Sequence, residues 1–161
     1  MDLGKGWRDV TPTAFIDMLK DDALRLECET GLPAAVTIAQ AALETGWGRH
    51  QIVHQCDAQE ALREREGGAG EYVDLPDGAP SHNLFGIKRH RSAVPFVVCW
   101  THEVIRGERV RIPDRFRRYE NYAESLADRF EFLRLNRRYA HVLETTDPFE
   151  FAIRLQDAGY A

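Results

Sequence analysis

The chain has 161 residues, of which 43% are hydrophobic, and it carries a formal net charge of −5 at pH 7. This length suits one domain with a substantial core and is too short for two comfortable ones. The acidic balance disfavours nucleic acid as the main partner, and no apolar run approaches the roughly 18 residues of a membrane-spanning helix. We therefore predict a single domain over residues 1–161 that is monomeric and does not insert into a membrane.

Two helices are predicted near the start of the chain. Apolar residues recur at helical spacing from Thr11 to Thr30, with Thr11 followed by Pro12 as a start signal and Gly31 as a stop signal. The stretch PAAVTIAQAALETGWG, from Pro33 to Gly48, is apolar on almost every face and should therefore be a buried helix.

A narrow polar stripe runs along the second helix and consists of Thr37, Gln40 and Glu44. A glutamate in such an apolar setting should have a raised pKa, which suits a general acid. The alternative is that Glu44 caps a neighbouring element or pairs with an arginine. Trp47 follows at a glycine turn, where its indole either packs in the core or offers an apolar ring face to a ligand.

Residues 50–80 are charged and rich in glycine, and we predict a surface excursion with a short helix over residues 58–66. His50, His54 and Cys56 lie close together in this segment but match no strong zinc pattern, so no metal is expected. The three cysteines of the chain, which include Cys28 and Cys99, imply no disulfide framework, although one bridge is possible in an oxidising compartment.

The next stretch, SHNLFGIK, predicts a loop that presents the amide of Asn83 together with the ring of Phe85. Amides bind hydroxyl groups and rings cover sugar faces, but loops with Asn and Gly are also common without such a role. Residues 93–112 are rich in β-formers and predict a hairpin that turns near Gly107. Glu103, in the first strand, is either a solvated edge carboxylate or a second catalytic carboxylate.

After Pro113 the sequence predicts helices again. Asn121 and Asp147 each precede a helical pattern as cap residues, with a glutamate three residues later. The arginine pairs at 117–118 and 137–138 are interpreted as solvated helix faces. The predicted fold is therefore mainly α, of the α+β class, with a helical lobe and a small β-hairpin lobe.

Six segments, taken in order, resemble a known family: ALETGWG, SHNLFGIK, WTHEVIRG, FRRYENYAES, LNRRYAHVL and FAIRLQDAGYA. They are similar to glycoside hydrolase family 73, the lysozyme-like peptidoglycan glucosaminidases. The resemblance implies two lobes around a cleft and hydrolysis of the β-1,4 bond between N-acetylglucosamine and N-acetylmuramic acid, with no metal or cofactor. It also implies a role for each matched residue, with Glu44 as general acid, Glu103 as second carboxylate and Tyr160 beside the acid. Asn83 and Phe85 would line the sugar site, and we add Trp47 and Gln40 as candidate substrate contacts.

Two routes remain open for the second half of the reaction, since either Glu103 activates a water or the acetamido group of the substrate assists. Two departures from the family also stand out. Residues 51–74 are interpreted as a surface insertion that gates the cleft or binds a partner. The family usually continues into a further short helix beyond the position of Ala161. The rival activities are those of a muramidase or lytic transglycosylase, and the rival of another class is a non-catalytic peptidoglycan-binding module.

The first ten residues, MDLGKGWRDV, lack the apolar segment of a secretion signal. We therefore expect a small complete protein that is made in the cytoplasm and reaches the periplasm of its own or a target cell by a non-Sec route. The favoured hypothesis is a type VI secretion effector with a periplasmic immunity protein that plugs the cleft. A phage endolysin, or a domain of a longer flagellar or secreted protein, is the alternative.

Overall fold

The computed structural model describes residues 9–160, and the expectations that concern residues 1–8 and Ala161 lie outside this range. In chain order, the described elements are α1 (Pro12–Thr30), α2 (Ala34–Thr45), α3 (Cys56–Arg65), β1 (Phe96–Ile105), β2 (Glu108–Arg117), α4 (Tyr122–Leu135), a 3-10 helix (Arg137–Glu144) and α5 (Pro148–Asp157). The predicted fold class is confirmed, with a helical lobe and a two-stranded lobe. None of the helices between residues 9 and 160 is long and apolar enough to cross a membrane.

The helix ends follow the predicted caps. The Thr11 hydroxyl accepts a hydrogen bond from the Ala14 amide at the start of α1, and Gly31 ends this helix in the left-handed conformation, at φ 78°. Asn121 and Asp147 cap α4 and α5 in the same way, each accepting from the backbone amide three residues on. Each cap supplies an acceptor to an otherwise unpaired amide of the first turn.

The main core lies between α1, α2, α4 and α5, where Phe15, Leu19, Leu126, Leu133 and Phe151 are all buried. One prediction about α2 is wrong, because this helix is not buried on every face. Its Ala35, Ala39 and Leu43 face outward, and Leu43 is 83% exposed. The second correction concerns Thr37, which is buried and donates to the Pro33 carbonyl instead of facing a polar region. Periodicity cannot show which side of an almost wholly apolar helix its neighbours leave uncovered.

The hairpin turns as predicted. Ile105 pairs with Glu108, and the two residues between them, Arg106 and Gly107, both have positive φ, at 53° and 84°. This conformation defines the type I′ turn that matches the twist of two antiparallel strands. The prediction of helix directly after Pro113 is wrong, because β2 continues to Arg117. Proline is tolerated there because both strands of a two-stranded sheet are edges.

The excursion predicted for residues 50–80 is not a loose surface segment. Ala58 and Leu62 of α3 are fully buried and pack against Phe96 and Val98 of β1, which forms a second core beneath the hairpin. Whether this segment is an insertion relative to the family stays a prediction.

The arginine pairs differ in part from the prediction of solvated helix faces: Arg137 and Arg138 are exposed on the 3-10 helix as predicted, whereas Arg117 is not on a helix. Arg117 belongs to β2 and binds Asp128 of α4 at 2.8 Å, while Arg138 donates to the carbonyls of Ala158 and Gly159. These two arginines therefore tie neighbouring elements together.

Candidate active site

A cavity of about 270 Å³ opens where the helical lobe meets the SHNLFGIK loop. Its lining residues come from the end of α2, the loop before the hairpin, α4, the 3-10 helix and the residues after α5: Glu44, Phe85, Gly86, Ile87, Lys88, His90, Phe132, Tyr139 and Tyr160. The structure thus brings three of the predicted site residues, Glu44, Phe85 and Tyr160, to one cavity. Four aromatic rings among its walls offer faces that suit sugar rings, beside the polar groups of Glu44, Lys88 and His90.

Glu44 lies in the last turn of α2, where its side chain remains exposed at the cavity. Neighbouring groups exclude part of the water around this carboxyl, and this desolvation raises its pKa. The positive charge of the nearby Arg129 guanidinium acts in the opposite direction. Its position at the helix C-terminus acts in the same direction as desolvation, because the negative end of the helix dipole disfavours a carboxylate. Glu44 is therefore the group in this cavity that is suited to hold and donate a proton.

Glu103 does not line the cavity, although Lys88 does. The Lys88 ammonium forms an ion pair with Glu103 in β1 and a second one, of 2.9 Å, with Asp114 in β2. Burial alone would lower the pKa of Lys88, but its bonds to the two carboxylates outweigh this effect. The pKa of Lys88 is therefore raised above its usual value, and the ammonium stays charged. The second carboxylate is thus held beside the site through a cation that sequence reasoning missed.

The SHNLFGIK loop is organised differently from the expectation. Asn83 is buried, and its side-chain nitrogen donates to the carbonyls of Ile87 and Arg117 at 2.9 and 3.0 Å. Its side-chain oxygen accepts from the amides of Phe85 and Ile87. Because the amide is fully used within the protein, Asn83 shapes the loop and does not present its amide to a sugar. Phe85 does line the cavity, as expected.

Gln40 and Trp47 lie outside the cavity. Gln40 lines a neighbouring apolar groove of about 570 Å³ between α2 and α5, which Tyr160 shares. Trp47 contacts the ring of Phe15 edge-on, with centroids 6.1 Å apart, and is 37% exposed. Trp47 thus packs one edge on Phe15 and leaves part of its ring exposed, so both alternatives for its role stay open, while Gln40 lies one groove away from Glu44.

Tyr160 is well anchored. Its amide donates to the Leu155 carbonyl at 3.2 Å, and its ring lies edge-on to Tyr139 with centroids 5.7 Å apart. Burial raises the pKa of its hydroxyl, whereas Arg129 acts to lower it. The phenol is therefore a neutral hydrogen-bonding group beside Glu44.

The three candidate metal ligands do not come together. The His54 ring is buried and accepts from the Val98 amide, and the Cys56 thiol contacts the Leu75 carbonyl. Within residues 9–160 there is no group of three or more His, Cys, Asp or Glu side chains that could hold a metal ion. The three cysteines are free thiols, and burial raises the pKa of Cys99 to about 11.

Sequence reasoning missed Arg129, Tyr139 and Phe132. Arg129 was detectable, because it lies on the buried face of α4 between Leu126 and Leu133 at helical spacing. A charged residue on a core face requires a partner or a function. The rings of Phe132 and Tyr139 gave no such signal, since aromatic residues at these positions usually belong to the core.

Comparison with known proteins adds evidence from relatives. The glucosaminidase family, described as mannosyl-glycoprotein endo-beta-N-acetylglucosaminidase, matches residues 20–161. Peptidoglycan hydrolase FlgJ of Escherichia coli O157:H7 is 36% identical over 149 residues, which cover 92% of this chain and 41% of that protein. Exo-glucosaminidase LytG of Bacillus subtilis is 31% identical over 152 residues, covering 91% and 45% of the two chains. The chain thus spans less than half the length of these two relatives.

The solved structures agree. The C-terminally truncated glycoside hydrolase domain of Salmonella typhimurium FlgJ superposes with a TM-score of 0.68 at 32% identity, covering 94% of this chain and 87% of that one. The sequence matches and the structural match therefore indicate the same family over nearly the whole chain. The chain belongs to the glucosaminidase family of glycoside hydrolases.

Proposed function

We propose that this domain hydrolyses the β-1,4 bond between N-acetylglucosamine and N-acetylmuramic acid in peptidoglycan, with Glu44 as the general acid. The observation that carries the proposal is a carboxyl group with a raised pKa that opens into a cavity walled by the rings of Phe85, Tyr139 and Tyr160. A glutamic acid of this kind can protonate the leaving oxygen of a glycosidic bond. The relatives named peptidoglycan hydrolase and exo-glucosaminidase support this substrate class.

In this reaction Glu44 gives its proton to the glycosidic oxygen while the bond from C1 to that oxygen breaks through an oxocarbenium-like transition state. Water then adds to C1 and loses a proton. We assign Glu103 as the base that accepts this proton. Its ion pair with Lys88 holds it beside the cavity, so a movement of the hairpin toward α2 has to bring it to the water. The competing route, in which the substrate acetamido group attacks C1, needs no second carboxylate.

A second groove favours peptidoglycan as the substrate, because peptidoglycan carries peptides and an unsubstituted glycan does not. This groove, of about 560 Å³, shares His90 and Phe132 with the cavity and is also lined by Arg91 and Arg137. Both arginines are exposed. The lactyl-linked peptides of peptidoglycan carry carboxylates, which such guanidinium groups attract.

The test is digestion of purified peptidoglycan by the wild type, by Glu44→Gln and by a matched control, Glu29→Gln, at an exposed position of α1. Reduced fragments are identified by mass spectrometry. The proposal requires fragments ending in reduced N-acetylglucosamine from the wild type and from the control, and none from folded Glu44→Gln. Ends in reduced or anhydro N-acetylmuramic acid would instead show a muramidase or a lytic transglycosylase. Binding to the wall without any fragments would indicate a non-catalytic module.

We also propose that the domain acts as a monomeric antibacterial effector, delivered to the periplasm by type VI secretion and inhibited there by an immunity protein. One surface of the domain would suit the binding of such an inhibitor. Leu43 and Phe149, exposed by 83% and 80%, border the apolar groove between α2 and α5, which adjoins the catalytic cavity through Tyr160. An inhibitor that covers both the groove and the cavity would bury this apolar surface and block Glu44.

The effector proposal is tested in two kinds of cell. In a susceptible bacterium, export of the domain to the periplasm should cause lysis, and Glu44→Gln should abolish it. A secretion-deficient strain of the producing organism should then fail to lyse competitors lacking the immunity protein. Equal killing by the secretion-deficient strain would contradict this delivery route and would favour an endolysin or a domain with another means of export.

A further inference from the structure

Arg129 is an unusual residue for the core of a helical lobe. It projects from the middle of α4, is 0% exposed, and is the largest fully buried side chain of the part of the chain that the structure describes. None of its three guanidinium nitrogens meets strict hydrogen-bond geometry among residues 9–160, and the nearby Tyr160 hydroxyl is its one polar neighbour close to hydrogen-bond range. A buried cation that forms no ion pair with a described carboxylate opposes folding, and an apolar side chain of similar volume would pack there at lower cost. Its presence therefore calls for an explanation outside packing.

The surroundings of Arg129 connect it to the candidate active site. Its guanidinium carbon lies 4.9 Å from the ring centre of Phe85 and 5.7 Å from that of Tyr160, and both rings are walls of the cavity. The guanidinium also acts electrostatically on Glu44 and on the Tyr160 hydroxyl. Burial lowers the pKa of Arg129, while Tyr160 and Glu44 act to raise it. Arginine keeps its charge in such surroundings.

We propose that Arg129 is a positioning residue for the hydrolysis proposed above: its guanidinium, packed against Phe85 and Tyr160, fixes these two walls of the cavity and stabilises the carboxylate that Glu44 becomes on giving up its proton. Contact with two rings explains how Arg129 fixes the cavity walls, because the guanidinium cation is attracted to the π-faces of Phe85 and Tyr160. The second part follows from charge, since a fixed cation near the acid favours its ionised form.

The other charged and titratable groups at this cavity do not replace Arg129. Lys88 and His90 line the cavity from the loop side, and Lys88 is already paired with Glu103 and Asp114. Tyr139 contributes a phenol from the 3-10 helix. Arg129 approaches from the protein interior, where burial excludes the solvent that would weaken its field.

The first experiment compares Arg129→Met and Arg129→Lys with Arg134→Met as matched control. Arg134 lies on the same helix, is 52% exposed and pairs with Glu131 at 2.6 Å. The pH dependence of kcat/KM on peptidoglycan is measured for each variant after its fold is checked by circular dichroism. We expect Arg129→Met to lose about 100-fold in kcat/KM, because the acid and the sugar-facing walls are no longer held in register. We also expect its alkaline limb to move to higher pH, since Glu44 loses the cation that favours ionisation.

Rescue separates this role from a structural one. Arg129→Lys restores a cation, so it should return the alkaline limb toward the wild-type pH even where the rate stays reduced. A limb that is unchanged in both variants would overturn the proposal, as would wild-type kcat/KM in Arg129→Met. If Arg129→Met does not fold, Arg129→Lys and Arg129→Gln provide the same comparison of charge at nearly constant shape.

A second readout does not depend on catalysis. The titration of the Glu44 carboxyl, followed by carbon-13 NMR in the wild type and in Arg129→Gln, should show a higher pKa in the variant. An identical titration would refute the electrostatic link. If the wild type releases no fragments from peptidoglycan but the titration shifts, the proposed function fails while the link between Arg129 and Glu44 stands.

Discussion

Lys88 binds Glu103 across the junction of the two lobes, and this ion pair holds the hairpin carboxylate beside the cavity that contains Glu44. Lys88 belongs to the loop after Asn83, and its backbone also forms a β-bridge with Phe116 of β2. The cation therefore connects the loop, both strands of the hairpin and the cavity wall. Any movement of Glu103 toward a substrate has to exchange this partner for another.

The first prediction concerns Glu103 as the base. Glu103→Gln should lower kcat by about 100-fold, because a positioned general base contributes on that order or more. Steady-state digestion of peptidoglycan measures the loss, and Glu108→Gln, an exposed position at the other end of the turn, is the matched control. A kcat close to that of the wild type would assign the second half of the reaction to the substrate acetamido group. Proton NMR of the first product would then show retention at C1.

The second prediction concerns the acid. Burial raises the pKa of Glu44 above the ordinary value of 4.5, while Arg129 limits the rise. Since the proton is needed, kcat/KM should fall as the pH rises through this raised pKa. The midpoint of that limb should coincide with the NMR titration of the Glu44 carboxyl. A limb that titrates elsewhere, or that survives in Glu44→Gln with measurable activity, would assign the acid to another residue.

The raised pKa of Glu44 also predicts how this residue changes the stability of the protein with pH. A carboxyl whose pKa is raised on folding stabilises the protein fully below the unfolded pKa, and that contribution is lost as the pH rises through the folded pKa. Glu44→Gln should therefore be at least as stable as the wild type at neutral pH, in urea denaturation. This would be the usual result of removing a group that is kept for function at a cost in stability. A clear loss of stability in Glu44→Gln would show that the carboxylate has a structural partner.

The sequence was most informative where local chemistry determines structure. The turn at Gly107 and the caps at Thr11, Asn121 and Asp147 follow from backbone rules that act over a few residues. Glu44 was detectable because a carboxylate stood in an apolar helical pattern.

Other features depend on contacts that pattern alone does not contain. The exposed face of α2, with Leu43, was invisible because neighbours decide which side of an apolar helix is covered. Asn83 was misread for a related reason, since an amide in a loop can bind a ligand or its own backbone, and only the fold shows which. The pairing of Glu103 with Lys88 joins residues 15 positions apart in two different elements, and no periodicity reports such a contact.

A further prediction tests the structural role of Asn83. Asn83→Ala removes four hydrogen bonds to backbone groups of a buried loop, so the free energy of unfolding should fall by about 2–4 kcal/mol. Urea denaturation measures it, and the cap variant Asn121→Ala sets the scale at about 1 kcal/mol. Loss of activity without loss of stability in Asn83→Ala would instead restore the interpretation that its amide contacts the sugar.

The last prediction concerns His54, which joins the segment after α2 to the hairpin. Its ring is fully buried, and its Nδ1 accepts from the Val98 amide at 3.2 Å, which requires that nitrogen to be unprotonated. Desolvation lowers the pKa of His54, and the nearby Asp77 only partly opposes this. The unfolded chain therefore binds a proton at a higher pH than the folded protein does.

A histidine with a depressed pKa contributes stability that is present above the unfolded value and is lost as the pH falls through the folded value. Below about pH 6.5, the free energy of unfolding should therefore decrease by up to about 1.4 kcal/mol per pH unit from this group. His54→Asn keeps an acceptor near the position of Nδ1 without the titration, so its stability should depend less on pH in this range. His141→Asn, at an exposed position, is the control and should leave the slope unchanged. If His54→Asn retains the full wild-type slope in urea denaturation at several pH values, other groups cause the acid sensitivity.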